Sequence, residues 1–300
     1  MTLRSGKTVK KEQKKTNAGR GKILLVLVVF GCLLLAVALV ALLFGGMKIA
    51  QLPIVGQKVA IIPIKGEITA EGCSASLFSS ASCVNVAAIK EVLKAADKDD
   101  SIRAVVLDIN SGGGSVVPSR ELAYVVRDMK KPVVACIRET GASGAYYIAS
   151  ASDHIVADRD SMTGSIGVIM TIQHMYGLYE KLGINVTVIK SGKVKDIGSP
   201  YREMTPEENA ELTDMVDKIY EDFVSDVALN RNMSVEYVKS ISDGSIYLGR
   251  EAMDLGLVDS LGTIDDAVAI AADLGDIQGE PAIQKTASRP LTIWDYLSQS

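Results

Sequence analysis

Residues 102–110, IRAVVLDIN, run straight into Ser111-Gly112-Gly113-Gly114. The run is mostly apolar and does not alternate with polar positions, the pattern of a strand buried in a parallel sheet. The three glycines break it, and residues 115–129 then carry helical spacing. A second apolar run, PVVACI (132–137), predicts the next strand, followed by GASGAYYIAS (141–150). Strand, helix and strand at this spacing make a βαβ unit, which crosses over right-handed.

The same alternation extends outward. KVAIIPIKG (58–66) predicts a strand ending at glycine. Asn85 is placed to cap a helix with Val86, Ile89, Leu93 and Ala96 on one face. HIVA (154–157) and NVTVIK (185–190) predict further strands. Thr205-Pro206-Glu207-Glu208 reads as a capping box with proline at the first helical position. It opens a helix to about Asn230, with Leu212, Met215, Val216, Ile219, Phe223 and Val227 on one side. The expectation is a single α/β domain over residues 58–286, with no long repeat.

The ends differ in kind. The net charge is −4, but residues 1–22 contribute +7, so the rest carries −11. An acidic body is a poor platform for nucleic acid. Residues 23–44, ILLVLVVFGCLLLAVALVALLF, contain no charge. A helix of that length crosses a hydrocarbon core of about 30 Å. A cleaved signal peptide fits less well, because Ala36-Val37-Ala38 lies inside the run rather than after it. The reading is a basic cytoplasmic tail (1–22), a single transmembrane helix (23–44), a connector (45–57) and an extracytoplasmic domain. Residues 287–300 are expected to form a C-terminal tail with one amphipathic turn around Trp294.

Cys73 and Cys83 flank a serine-rich loop, as a disulfide or as two free thiols, and Cys136 reads as a buried thiol. There is no CxxC and no His/Cys cluster, so no metal is expected. Nor is a nucleotide cofactor expected. Neither glycine-rich break carries G-x-G-x-x-G, and no Gly-Lys-Ser/Thr follows.

Both breaks follow the carboxyl ends of strands, where parallel sheets carry their sites. Bare backbone N–H groups there suit an oxyanion hole, or the glycines serve only a tight turn. Ser143 would sit at the start of a helix beginning near Gly144, as its N-cap or as a nucleophile. A nucleophilic serine needs a base, and the chain has two histidines. His154 opens a strand and His174 sits in a helical stretch, so neither suits an α/β-hydrolase order. A lysine serves as base when its surroundings favour the neutral form. Lys190, Lys193 and Lys195 in VIKSGKVKDIGSP (188–200) are the candidates.

Five stretches carry a resemblance: INSGGG, ETGASGAYYIASASDHIVA, SMTGSIGVIM, KLGINVTVIKSGKVKDIGSPYREMTPEE and DGSIYLGREAMDLGLVDSLG, spanning about residues 109–262. Together they resemble the short form of signal peptide peptidase A, in the S49 family of membrane Ser-Lys serine peptidases. The resemblance implies a ClpP/crotonase-like fold of repeated βαβ units, with Ser143 as nucleophile and Lys195, of SGxxKD, as general base. Ser165 of TGSIGV is implied to position that lysine, and Gly113, Gly114 and Gly144 to form the oxyanion hole. Gly112 stands where the family usually has proline. The implied activity is cleavage of signal peptides and other membrane-associated peptides, by a homo-oligomeric ring, an octamer being one form of it. By analogy with the tandem long form, the serine and lysine would meet across a subunit interface. Rival readings are a stomatin-directed membrane Ser-Lys protease, a crotonase-type acyl-CoA enzyme and an inactive membrane scaffold.

Overall fold

In the computed structural model the described residues are 57–73 and 83–286, all within the unit Gly56–Ser300. The expected basic tail, transmembrane helix, nearly all of the connector and the C-terminal tail lie outside them. Among the described residues no helix is long and apolar enough to cross a membrane.

The strands are β1 (Lys58–Lys65), β2 (Glu67–Thr69), β3 (Cys83–Asn85), β4 (Ile102–Ser111), β5 (Val133–Ala142), β6 (His154–Ala157), β7 (Met162–Gly164), β8 (Ile246–Leu248), β9 (Ser260–Leu261) and β10 (Ala282–Lys285). The helices are α1 (Val86–Lys98), α2 (Val116–Arg127), α3 (Gly144–Ser150), α4 (Tyr176–Lys181), α5 (Pro206–Asn230), α6 (Val235–Ser240), α7 (Gly249–Asp254) and α8 (Ile264–Leu274). The main sheet runs β10-β1-β4-β5-β6-β9, every adjacent pair parallel. β7 continues beside the far end of β5, and β8 pairs antiparallel with β7.

The run from Ile102 is buried almost throughout, as its lack of alternation predicts. Its odd and even positions serve different layers. Val105, Leu107 and Ile109 face a core shared with α1, α2, α3 and α5. Ala104 and Val106 face a smaller core closed by Ala267, Ala271 and Ala272 of α8. Each fully buried Leu or Ile contributes about 1.5–3 kcal/mol, so helices on both faces commit β4 to the centre of the sheet. The expected caps form: the Asn85 side chain accepts from the Ala88 N–H at 2.9 Å, and Thr205 and Glu208 complete a capping box on α5. Cys73 and Cys83 are joined as a disulfide, with Cα atoms 5.5 Å apart. Cys136 is a buried free thiol whose pKa burial pushes up to about 12.

Two expectations need correction. NVTVIK (185–190) forms no strand. It has strand composition, but no described edge pairs with it, and Ile189 is 95% exposed. The apolar side of α5 is also only half used: Phe223 and Val227 are buried, whereas Met215 is exposed. Periodicity reports which residues share a face, not whether the same chain covers it.

Candidate active site

β5 serves two neighbours in succession. Val134–Ile137 pair with β6, and Thr140–Ala142 pair with β7. The last of these pairs, Ala142↔Gly164, brings the chain ends beyond it side by side, so Ser143 and Ser165 follow adjacent residues of one ladder. The Ser143 N–H donates to Gly164 O at 2.9 Å, and the Ser165 N–H to Ser245 O at 2.7 Å. Both serines adopt positive φ, 52° and 49°.

Ser143 has ψ −125° and makes no side-chain cap bond to α3. Ser143 thus occupies the N-cap position, but its side chain does no capping. A non-glycine residue at that φ and ψ costs on the order of 1–3 kcal/mol and persists only where its surroundings enforce it. α3 supplies the enforcement, since all seven of its residues are buried. The Tyr146 hydroxyl donates to Leu257 O at 2.9 Å, and the Tyr147 hydroxyl donates to Asp226. The Tyr147 ring stacks on Phe223 with centroids 4.4 Å apart. Burial, and for Tyr147 the Asp226 carboxylate too, keep both phenols protonated. The tyrosines are packing and anchoring groups beneath Ser143.

The glycine turn closes over the serine. Gly113 has φ +101°, and a Cβ on it would lie 2.7 Å from the Gly144 nitrogen and 2.9 Å from Ser143 Cβ. A Cβ on Gly114 would lie 2.2 Å from Ile68 O, and one on Gly144 2.3 Å from Ser119 Oγ. β2 holds this turn: the Ile68 N–H donates to Gly113 O and Ile68 O accepts from the Ser115 N–H, at 3.0 and 2.8 Å. The Gly113 N–H donates to Ser111 Oγ at 3.1 Å. It is therefore already engaged, whereas no acceptor within the described residues takes the Gly114 or Gly144 N–H. Space at Gly112 is open, and a Cβ there meets nothing within 4 Å. We predict that Gly114→Ala lowers kcat at least about 100-fold, since its Cβ must push β2 or its own N–H aside. Steady-state kinetics on the purified variant check this.

A cavity of about 30 Å³ lies against Ser143 and Gly144, lined by Val116, Ser119, Tyr147, Ile219 and Phe223 among others. A larger one of about 460 Å³ reaches Cys136 and Thr263 and contains none of these residues. His154 pairs with Val134, about nine residues or on the order of 25–30 Å of strand before Ser143. It bonds Ser260 Oγ at 2.8 Å and is a packing residue. His174 is exposed beside Tyr176.

The lysines separate by their partners. Lys190 Nζ is tied to Lys193 O at 2.7 Å and to Asp196, so its charge is in use. Lys195 is exposed, and it does not line the cavity at Ser143. The structure thus gathers Ser143, Ser165, Gly113, Gly114 and Gly144, and does not bring Lys195 into the lining of the cavity at Ser143. Ser119 and Asp226 support the site but carry no motif, and Ser111, though within INSGGG, was assigned no role by it. Only their burial or bonding, which a single sequence does not display, distinguishes them.

Comparison with known proteins identifies the family. A protein named as a protease in Methanocaldococcus jannaschii is 47% identical over 190 residues, 63% of this chain and 61% of that one. One so named in Synechocystis is 42% identical over 205 residues, 67% of this chain and 74% of that one. A protein named as a signal peptide peptidase of the SppA type in Enterococcus faecium is 41% identical, covering 59% and 52%. This chain thus matches about three-fifths of the length of the first relative. The peptidase family S49 profile matches residues 126–278, half of the chain. The chain belongs to peptidase family S49.

Proposed function

We propose that the chain is a serine endopeptidase with a Ser143–Lys195 dyad on a ClpP/crotonase-like fold. We further read it as anchored in the membrane by residues 23–44, with its catalytic domain outside. Its substrates are cleaved signal peptides and other membrane-associated peptides. The observation that carries this reading is the Ser143 turn. A serine is held at positive φ between a strand and a buried helix, with no side-chain cap bond, beside two N–H groups that find no acceptor among the described residues.

The chemistry follows from those groups. Neutral Lys195 removes the Ser143 proton as Oγ attacks a peptide carbonyl. The Gly114 and Gly144 N–H groups stabilise the oxyanion; Gly113 shapes the turn, its own N–H being used by Ser111. Protonated Lys195 then gives its proton to the leaving amine, and water cleaves the acyl-enzyme. Ser165, which like Ser143 follows the last pair of the ladder, orients the lysine amine. A cavity of about 30 Å³ favours a small apolar side chain at the scissile position.

Lys195 arrives from a second copy in a ring. Its exposure, residues 185–190, which join no strand among the described residues, and the exposed Ile169 and Ile189 support an interface there. The test is covalent trapping. A serine-reactive phosphonate probe should label the assembled wild-type protein at Ser143, located by peptide mass mapping. Labelling elsewhere, or none in protein that cleaves peptides, refutes the reading.

A further inference from the structure

The turn that carries Lys195 is framed by charged side chains that the reaction does not use. Arg202 Nε donates to Asp196 Oδ2 at 3.0 Å, and its Nη2 to Asp196 Oδ1 at 2.8 Å. Toward the other side, Nη1 and Nη2 reach Glu208 Oε2 and Oε1 at 2.7 and 2.5 Å. Lys190 ties down Asp196 as well. The Asp196 and Glu208 side chains are only 10% and 6% exposed. Hydrogen bonds from Arg202 hold the Asp196 carboxyl far below its ordinary range and the Glu208 carboxyl down to about 2.

The connection is linear. Glu208 is fixed in the first turn of α5 by accepting from the Thr205 N–H at 3.0 Å. Arg202 spans from Glu208 to Asp196, and Asp196 is the residue after Lys195. Every contact lies between residues 190 and 208 of one chain, so the frame forms whether or not a second copy is present. The start of α5 does not need this clamp, since the helix is already capped by Thr205. What a planar guanidinium uniquely provides between two carboxylates is a fixed angle and distance.

We propose that Arg202, through Asp196 and Glu208, is a positioning residue that presents Lys195 to the reacting serine in one geometry. This rests on the reading of Lys195 as general base. A displacement of about 1 Å at a reacting group costs on the order of 100-fold in rate.

The experiment compares Arg202→Met, Arg202→Lys and Glu208→Gln in the full chain. Glutamine still accepts in a capping box, so Glu208→Gln removes one arm of the clamp while preserving the helix start. In Arg202→Met and Glu208→Gln, kcat should fall about 10–100-fold with KM changed less than about twofold and an unchanged melting temperature. The kcat–pH profile should also move in both variants, because the general base then sits in a different geometry at the reacting serine. Arg202→Lys should recover only part of kcat, because an ammonium cannot bridge both carboxylates bidentately.

Wild-type kcat and profile in Arg202→Met and Glu208→Gln overturn the proposal. So does a loss of kcat that tracks a loss of melting temperature with an unmoved profile, since that marks a merely structural role. An active Lys195→Ala variant refutes the base reading, and the proposal with it. An inactive Lys195→Ala beside unaffected Arg202 and Glu208 variants overturns the positioning role alone.

Discussion

Ser143→Ala should abolish peptide cleavage, lowering kcat/KM by roughly four to six orders of magnitude. The loss comes without collapse of the fold. Alanine keeps the Cβ, and the Ser143 N–H to Gly164 and the Tyr147 N–H to Ser143 O are both backbone bonds. Only Oγ is removed, and no side-chain cap bond depends on it. Circular dichroism and melting temperature should therefore match the wild type. Ser143→Gly separates strain from chemistry. Glycine adopts φ 52° freely, relieving on the order of 1–3 kcal/mol, against about 0.5–1 kcal/mol of added chain entropy. That variant should be as inactive as Ser143→Ala yet melt no lower than wild type. Substantial cleavage by Ser143→Ala would remove the serine mechanism altogether.

Lys195→Ala should be equally inactive, and the two dead variants should rescue one another. If the serine and lysine of each site come from neighbouring subunits of a ring, an equimolar mixed assembly pairs an intact serine with an intact lysine in about a quarter of its sites. Activity near a quarter of wild type is then expected after co-assembly, from parents that each show none. The structural motive is that Lys195 is exposed and lies outside the cavity at Ser143. A general base must come within hydrogen-bond reach of the serine hydroxyl, and a neighbouring copy is what would bring Lys195 there. A mixture as inactive as its parents would mean that serine and lysine must come from one subunit.

Much of this was legible in the sequence, for physical reasons. The buried character of residues 102–110 follows from composition, because a two-faced burial permits no polar alternation. Asn85 and Thr205 were readable as caps because capping is local chemistry over three or four residues. Residues 185–190 misled because strand propensity states what a segment can pair, not whether its own chain offers an edge. At the site, the glycines pointed to free N–H groups, but which were free depended on Ser111, whose hydroxyl engages Gly113. The choice among Lys190, Lys193 and Lys195 was beyond composition. Bonding withdraws Lys190, and resemblance to the family selects Lys195.

The seven residues of α3 have no solvent-facing side, and both tyrosine hydroxyls are tied to distant parts of the chain, at Leu257 and Asp226. Local opening usually begins at exposed, weakly packed segments, and this helix offers no such starting point. The turn bearing Ser143 therefore cannot fray while the domain survives around it. Loss of the Ser143 turn and loss of the folded domain become a single cooperative event, and a form with this turn melted inside an intact domain is not among the states open to the chain.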